Sequence, residues 1–130
     1  MTTGIIVFAH GSRIEPANQA VRSVAADLAR AGGYAIVEAA FLEIGSPSLE
    51  EAADLFIARG VERIVIIPYF LTPGTHLERD LPTIVDRIIK KHKNVQVIST
   101  ASLDGHPGLV EILADRANAA FLSQTHSNNT

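Results

Sequence analysis

GIIVFAHGSR, residues 4 to 13, is the most informative stretch of the chain for its architecture. Gly4 to Ala9 carries no polar side chain and is rich in β-branched residues, and at His10 the chain turns polar at once. A short apolar run that stops at a glycine-containing loop reads as a strand buried on both faces. Helical and apolar segments alternate along the rest of the chain. Pro16 to Arg30 spaces Ala17, Ala20, Val21, Val24, Ala25, Leu28 and Ala29 as one face of a helix, and Gly32-Gly33 stops it. Ala35 to Leu42 is a second apolar strand, followed by Glu43-Ile44-Gly45. A second helix starts at Ser46-Pro47-Ser48, capped either by Ser46 with Pro47 in its first turn or by a Ser48/Glu51 capping box. Its buried stripe is Leu49, Ala52, Ala53, Phe56 and Ile57. Ile64 to Ile67 is the third strand, and Leu71 to His76 (LTPGTH) the loop after it. Leu77 to His92 is the third helix, with Lys90, Lys91, His92 and Lys93 where cations suit its C-terminal dipole. Val95 to Ile98 is the fourth strand and Pro107 to Leu122 the fourth helix.

Four strand–helix repeats with continuously apolar strands imply right-handed crossovers and a parallel sheet with helices on both faces. The expected fold is a three-layer α/β/α domain with a four-stranded parallel sheet, occupying residues 1 to 122, with a polar tail over 123 to 130 expected to fray. Composition agrees. The chain has 130 residues, 47% hydrophobic and 19% charged, enough for one core and not two. Its net charge of −3 disfavours a general nucleic-acid binder. It has no cysteine, which excludes disulfides, thiolate metal sites and cysteine nucleophiles. No apolar run approaches the roughly 20 residues of a membrane span, and the Met-Thr-Thr-Gly start carries no basic leader, so a cytoplasmic location is the expectation.

In a parallel sheet of this kind ligands bind beyond the carboxyl ends of the strands. The first strand delivers His10, Ser12 and Arg13 there, the second Glu43. The third delivers Thr72, Thr75 and His76, then Glu78 and Asp80, and the fourth Ser99, Thr100, Ser102, Asp104 and His106. His10 and Glu43 are 33 residues apart, as are Glu43 and His76, close to the roughly 30 residues of one strand–helix unit. Equal phase puts these three on one edge of one sheet. Two imidazoles and a carboxylate there can ligate a divalent first-row metal or exchange protons near neutral pH. There is no GxGxxG, no GxxxxGK[ST] and no GxSxG. His106 precedes Pro107 at a helix start and suits a cap as well as a site, His92 in its basic helix end reads as a solvated position, and His126 lies in the tail with no role.

Four segments carry a resemblance. Phe8 to Arg13 (FAHGSR) resembles the opening of the small class II chelatases that insert metal into sirohydrochlorin, the CbiX/SirB type. Pro68 to Pro82 (PYFLTPGTHLERDLP) is similar to that family's most specific motif, P-x-F-L-x-x-G-x-H-x-x-x-D-[IL]-P. Phe41-Leu42-Glu43 with Pro47-Ser48-Leu49 resembles its middle motif, and Leu103 to Pro107 with Leu109 its last block. The resemblance implies that His10 and His76 are catalytic, metal-contacting histidines and that Glu43 is their acidic partner. It implies a chelatase-type parallel sheet, and for a short single-domain member, a homodimer. The implied reaction inserts Co²⁺, or alternatively Fe²⁺ or Ni²⁺, into sirohydrochlorin in cobalamin or siroheme synthesis, with no cofactor beyond the substrate metal. The peripheral carboxylates of that macrocycle call for donors, for which Ser12, Arg13 and Thr75 are candidates. Two other readings use the same residues: a non-catalytic metal or tetrapyrrole carrier, and a phosphoryl-group enzyme with His10 as nucleophile. The last would need more cations near His10 than Arg13.

Overall fold

A computed structural model describes residues 1–72 and 74–128, the side chains of 124–128 excepted. The elements run β1 (Thr3–Ala9), α1 (Glu15–Gly32), β2 (Val37–Phe41), α2 (Leu49–Ala58), β3 (Arg63–Pro68), α3 (Thr75–Lys91), β4 (Gln96–Ser99) and α4 (Gly108–Asn128). Every strand and helix expected from the periodicity is there, with ends shifted by a residue or two except at α4. The strands form one all-parallel sheet in the order β2-β1-β3-β4.

Right-handed crossovers place α1 on one face and α2 with α3 on the other, so alternate strand residues enter two separate cores. Ile6, Phe8, Ala40, Ile64 and Ile66 pack with Leu49, Ala52, Ala53 and Phe56 of α2 and Leu77 and Ile88 of α3. Ile5, Val7, Ala9, Val37, Ala39 and Phe41 pack with Val21 and Ala25 of α1. β1 lies at the centre and is buried from Gly4 to Ala9, which is why its reading governs the rest.

Local signals explain the helix ends. Gly33 takes a left-handed φ of 67° and its N–H bonds to Ala29 O, closing α1. Of the two starts open for α2, the Ser48/Glu51 capping box is the one formed.

Three expectations need correction. The fourth helix forms but does not cover the sheet: every residue from Val110 to Ser123 is exposed. β4, expected as a buried strand, has only Val97 half-buried, and β3 is fully buried on the α2/α3 face alone. The physical reason is a missing layer above β3 and β4 on the α1 face. α4 also runs to Asn128, past the expected end at Leu122. Of the expected tail, Asn129 and Thr130 lie outside the described residues, as do the side chains of 124–128, His126 among them. No helix among the described residues is long and apolar enough to cross a membrane.

Candidate functional site

The β1–β2 pairing does not stop at the strand ends. Leu42 N–H bonds to Ala9 O at 2.9 Å and Glu43 N–H to His10 O at 3.0 Å, so backbone pairing sets Glu43 beside His10. Their side chains meet with His10 Nε2 3.2 Å from Glu43 Oε1, both about half exposed. His10 Nδ1 lies 3.2 Å from Gly11 O. With one ring proton on Nδ1 toward that carbonyl, Nε2 and Oε1 are two acceptors facing each other. Such a pair takes up a proton or a cation. A divalent ion with bonds of about 2.1 Å sets neighbouring ligand atoms roughly 3.0–3.4 Å apart, a spacing the pair already has.

Two residues hold this geometry. Gly11 has φ 99°, and a Cβ there would sit 1.7 Å from Glu43 O, so only glycine allows the two loops to approach this closely. Asn18, 2% exposed, is the one buried polar side chain among the described residues. Its Oδ1 accepts from Ser12 N–H at 2.8 Å, and its Nδ2 donates to Ser12 O at 2.9 Å and to Ile44 O at 3.2 Å. It thus ties the loop after β1 to the loop after β2. Outside it, Arg22 pairs with Glu15 at 2.6 Å, donates to Ser46 O and stacks over Phe41. Bonds from Arg22 first and Asn18 second hold the Glu15 carboxyl below its ordinary pKa.

On the other side of β1, Tyr69 N–H bonds to Phe8 O at 2.7 Å, and the Phe70 ring meets Phe8 edge-on at 6.3 Å. This carries the chain to α3, whose first turn bears Thr75 and His76, both exposed. His76 Nε2 lies 2.9 Å from Asp80 Oδ2, one turn along the helix. All three anticipated residues therefore follow strands at the same sheet edge, but they form two histidine–carboxylate couples. Among the described residues no group of three or more His, Asp or Glu is placed to hold one ion. A cavity of about 770 Å³ lies between α3 and the end of β4, lined by Leu77, Leu81, Val85, Thr72 and Ser102; His10, Glu43 and His76 do not line it.

The other anticipated residues divide. Arg13 is exposed, with no ion pair among the described residues. Ser12 has its N–H committed to Asn18, while its Oγ accepts from Ile14 N–H at 3.1 Å. His106 is a cap: its Nδ1 accepts from Gly108 N–H at 2.9 Å. His92 is not a solvated position, being largely covered with Nε2 2.7 Å from Asp54 Oδ1. Sequence reasoning missed Asn18 as a positioning residue and Asp80 as the partner of His76. Asn18 did leave a signal, since a polar residue shares the inward stripe of α1 with Val21 and Ala25.

Comparison with known proteins gives the family. Over 113 residues the chain is 34% identical to the sirohydrochlorin ferrochelatase, chloroplastic, of Arabidopsis thaliana, covering 87% of the chain but only 50% of that protein. It is 32% identical over 124 residues to the sirohydrochlorin cobaltochelatase of Sulfurisphaera tokodaii, covering 95% of the chain and 98% of that protein. Thus it spans half the length of the plant relative and almost all of the archaeal one. The crystal structure of a CbiX protein from Marinobacter aquaeolei VT8 superposes with a TM-score of 0.85 at 24% identity, over 97% of this chain and 100% of that one, and so shares the fold. The CbiX family matches residues 4–120, a span that includes both histidine–carboxylate couples, and the chain belongs to the CbiX family.

Proposed function

We propose that the chain is a sirohydrochlorin chelatase, inserting a divalent metal into the macrocycle, with Co²⁺ favoured and Fe²⁺ or Ni²⁺ as alternative substrates. The observation that carries the reading is the facing of His10 Nε2 and Glu43 Oε1 at 3.2 Å on the ligand-binding edge of a CbiX-family sheet. Cobalt is favoured because the relatives matched along nearly their whole length are cobaltochelatases.

The chemistry requires two pyrrole N–H protons to leave as one M²⁺ enters. His10–Glu43 and His76–Asp80 are two proton-accepting couples on that edge, one for each proton. His10 and Glu43 also have the spacing to hold the incoming ion before transfer, and His76, in the first turn of α3 and paired with Asp80, is the base of the second couple. Arg13, Thr75 and the Ser12 hydroxyl are the donors for the carboxylate rim, the Ser12 N–H being already committed. We also read the protein as a homodimer.

The test is an anaerobic absorption time course with sirohydrochlorin and Co²⁺, Fe²⁺ or Ni²⁺ in turn, against a no-enzyme control and His76→Ala. Acceleration over the control, lost in a folded His76→Ala protein, is expected. A stoichiometric binding shift without turnover would replace this reading by the carrier. Full turnover in His76→Ala would remove His76 from the site.

A further inference from the structure

Ile44 stands in a backbone conformation that isoleucine avoids. Its φ is 50°, and among the described residues it is the one non-glycine with a positive φ. Left-handed backbone drives Cβ against the neighbouring carbonyl, and a branched Cβ worsens the clash. Glycine takes such a turn freely, and asparagine more readily than isoleucine. The loop does hold a glycine, but one residue later. A Cβ at Gly45 would lie 2.7 Å from the Phe41 ring, so glycine is needed there for packing. The conformation of Ile44 is fixed from both sides: Glu43 N–H bonds to His10 O at 3.0 Å, and Asn18 Nδ2 donates to Ile44 O at 3.2 Å.

No core packing offsets this strain. Ile44 is 46% exposed and belongs to neither core. Ile14 breaks a second local rule. It is the N-cap of α1, where serine, threonine, asparagine or aspartate would bond the open helix N–H groups, and its side chain makes no cap. It too lies outside both cores, 67% exposed. Its N–H bonds to Ser12 Oγ, and Ser12 is tied to Asn18, which also holds Ile44 O. One buried amide therefore anchors the two loops that carry both isoleucines and the His10–Glu43 couple.

Local rules broken with no gain in folding mark functional positions. The proposed reaction supplies the ligand. A cation enters a tetrapyrrole along the normal to its plane, so a couple that holds the cation must look onto the flat face of the ring. Aliphatic side chains in the same two loops meet that face, which is apolar, while the carboxylates of the macrocycle lie out at its rim.

We propose that Ile44, seconded by Ile14, is a substrate-contacting residue whose side chain bears on the face of the macrocycle and centres the ring over His10 and Glu43. The inference rests on the chelatase reading and deepens it. It assigns Ile44 to the ring and not to the metal, so loss of the side chain weakens binding of the macrocycle and leaves binding of the ion alone.

Ile44→Gly and Ile44→Asn remove the aliphatic side chain with residues that accept a positive φ more readily, and Ile44→Val keeps a branched aliphatic one. Each is titrated with metal-free sirohydrochlorin by absorption, assayed for insertion of Co²⁺, and unfolded in urea. For the glycine and asparagine variants the dissociation constant and KM for the ring are expected to rise about 5–10-fold, the contribution of one half-buried aliphatic side chain. KM for Co²⁺ is expected to stay as in the parent and the unfolding midpoint not to fall, with Ile44→Val close to the parent throughout. Parental ring affinity in both variants would overturn the proposal. Ring affinity lost in step with stability, in Ile44→Val as well, would also overturn it, making Ile44 structural. A parent that binds the ring without inserting metal would remove the chelatase reading, and the titrations would still judge Ile44. A parent that does not bind the ring would overturn both.

Discussion

Asn18→Ala isolates the strut beneath the candidate site. Asn18 is 2% exposed and makes three bonds to the backbone of the two site loops: from Ser12 N–H, to Ser12 O and to Ile44 O. Its fourth contact, to Glu15 Oε2 at 3.3 Å, is long and adds little. A buried intramolecular hydrogen bond is worth about 0.5–1.5 kcal/mol net, and a stranded partner costs more. Three such bonds put the loss at about 2–4 kcal/mol, a large part of the roughly 5–15 kcal/mol that holds a domain together. In melting temperature the drop is on the order of 10 °C for a chain of this size. The check is urea unfolding with the slope unchanged and the midpoint lowered, with the metal-insertion rate measured on the same folded protein. The rate is expected to fall more than stability at the assay temperature would explain, because His10 and Glu43 lose the tie that sets their 3.2 Å approach. Asn18→Asp sharpens the test. It keeps the acceptor for Ser12 N–H but turns a carboxyl oxygen toward two carbonyls and Glu15, so the folded state favours the protonated acid. A folded pKa above the unfolded one gives stability present at low pH and lost as pH rises. Asn18→Asp is therefore expected to lie nearer the parent at pH 4 than at pH 7. A melt within about 1 °C of the parent for Asn18→Ala, with insertion unchanged, would refute the strut.

Two other perturbations separate the site from the scaffold. Gly11→Ala places a Cβ 1.7 Å from Glu43 O at a left-handed φ, so the loops after β1 and β2 must part; the expected result is a folded, destabilised protein with insertion reduced at least tenfold, and parental activity would show that the His10–Glu43 approach is dispensable. Asp54 is held below its ordinary pKa by bonds from Lys91 first and His92 second. Its contribution is therefore present above an unfolded pKa near 4 and fades as pH falls through the lower folded value. Because the Asp54 carboxylate is 41% exposed and Lys91 63%, its worth is at most about 1 kcal/mol. The stability gap between parent and Asp54→Asn should be open at pH 6 and narrow toward pH 3 in urea titrations; a gap independent of pH would place the role of Asp54 elsewhere.

Much of the site edge was legible in the residues. β1 is apolar from Gly4 to Ala9 because both its faces are buried, and a run of that kind has few readings. The common phase of His10, Glu43 and His76 places all three after strands because each strand–helix unit consumes a similar length of chain. Ser48 and Glu51 announce a helix start through purely local bonds. Three other features could not be read this way. Asn18 looks like one more polar helix residue until the loops carrying Ser12 and Ile44 are folded onto it. Asp80, four residues from His76, is one of several carboxylates near that loop, and only side-chain geometry selects it. His92 sits among lysines in sequence, yet it lies largely covered against Asp54, 38 residues away.

The clearest division falls at α4. That Gly108 onward is helical and must bury apolar side chains is written in the order of its residues, since periodicity and hydropathy are properties of a segment. What those side chains bury against is a property of the path taken by the rest of the chain. Backbone bonds from Thr100 N–H to Ile66 O and from Leu103 N–H to Phe70 O, with the cap at His106, settle that path, aiming α4 away from the sheet and leaving a groove over Val65 and Ile67 open. Local propensity acts over a few residues and leaves its mark in the amino-acid order; the direction of a helix is set by contacts between residues far apart in the chain, and it emerges only when those residues meet in the folded molecule.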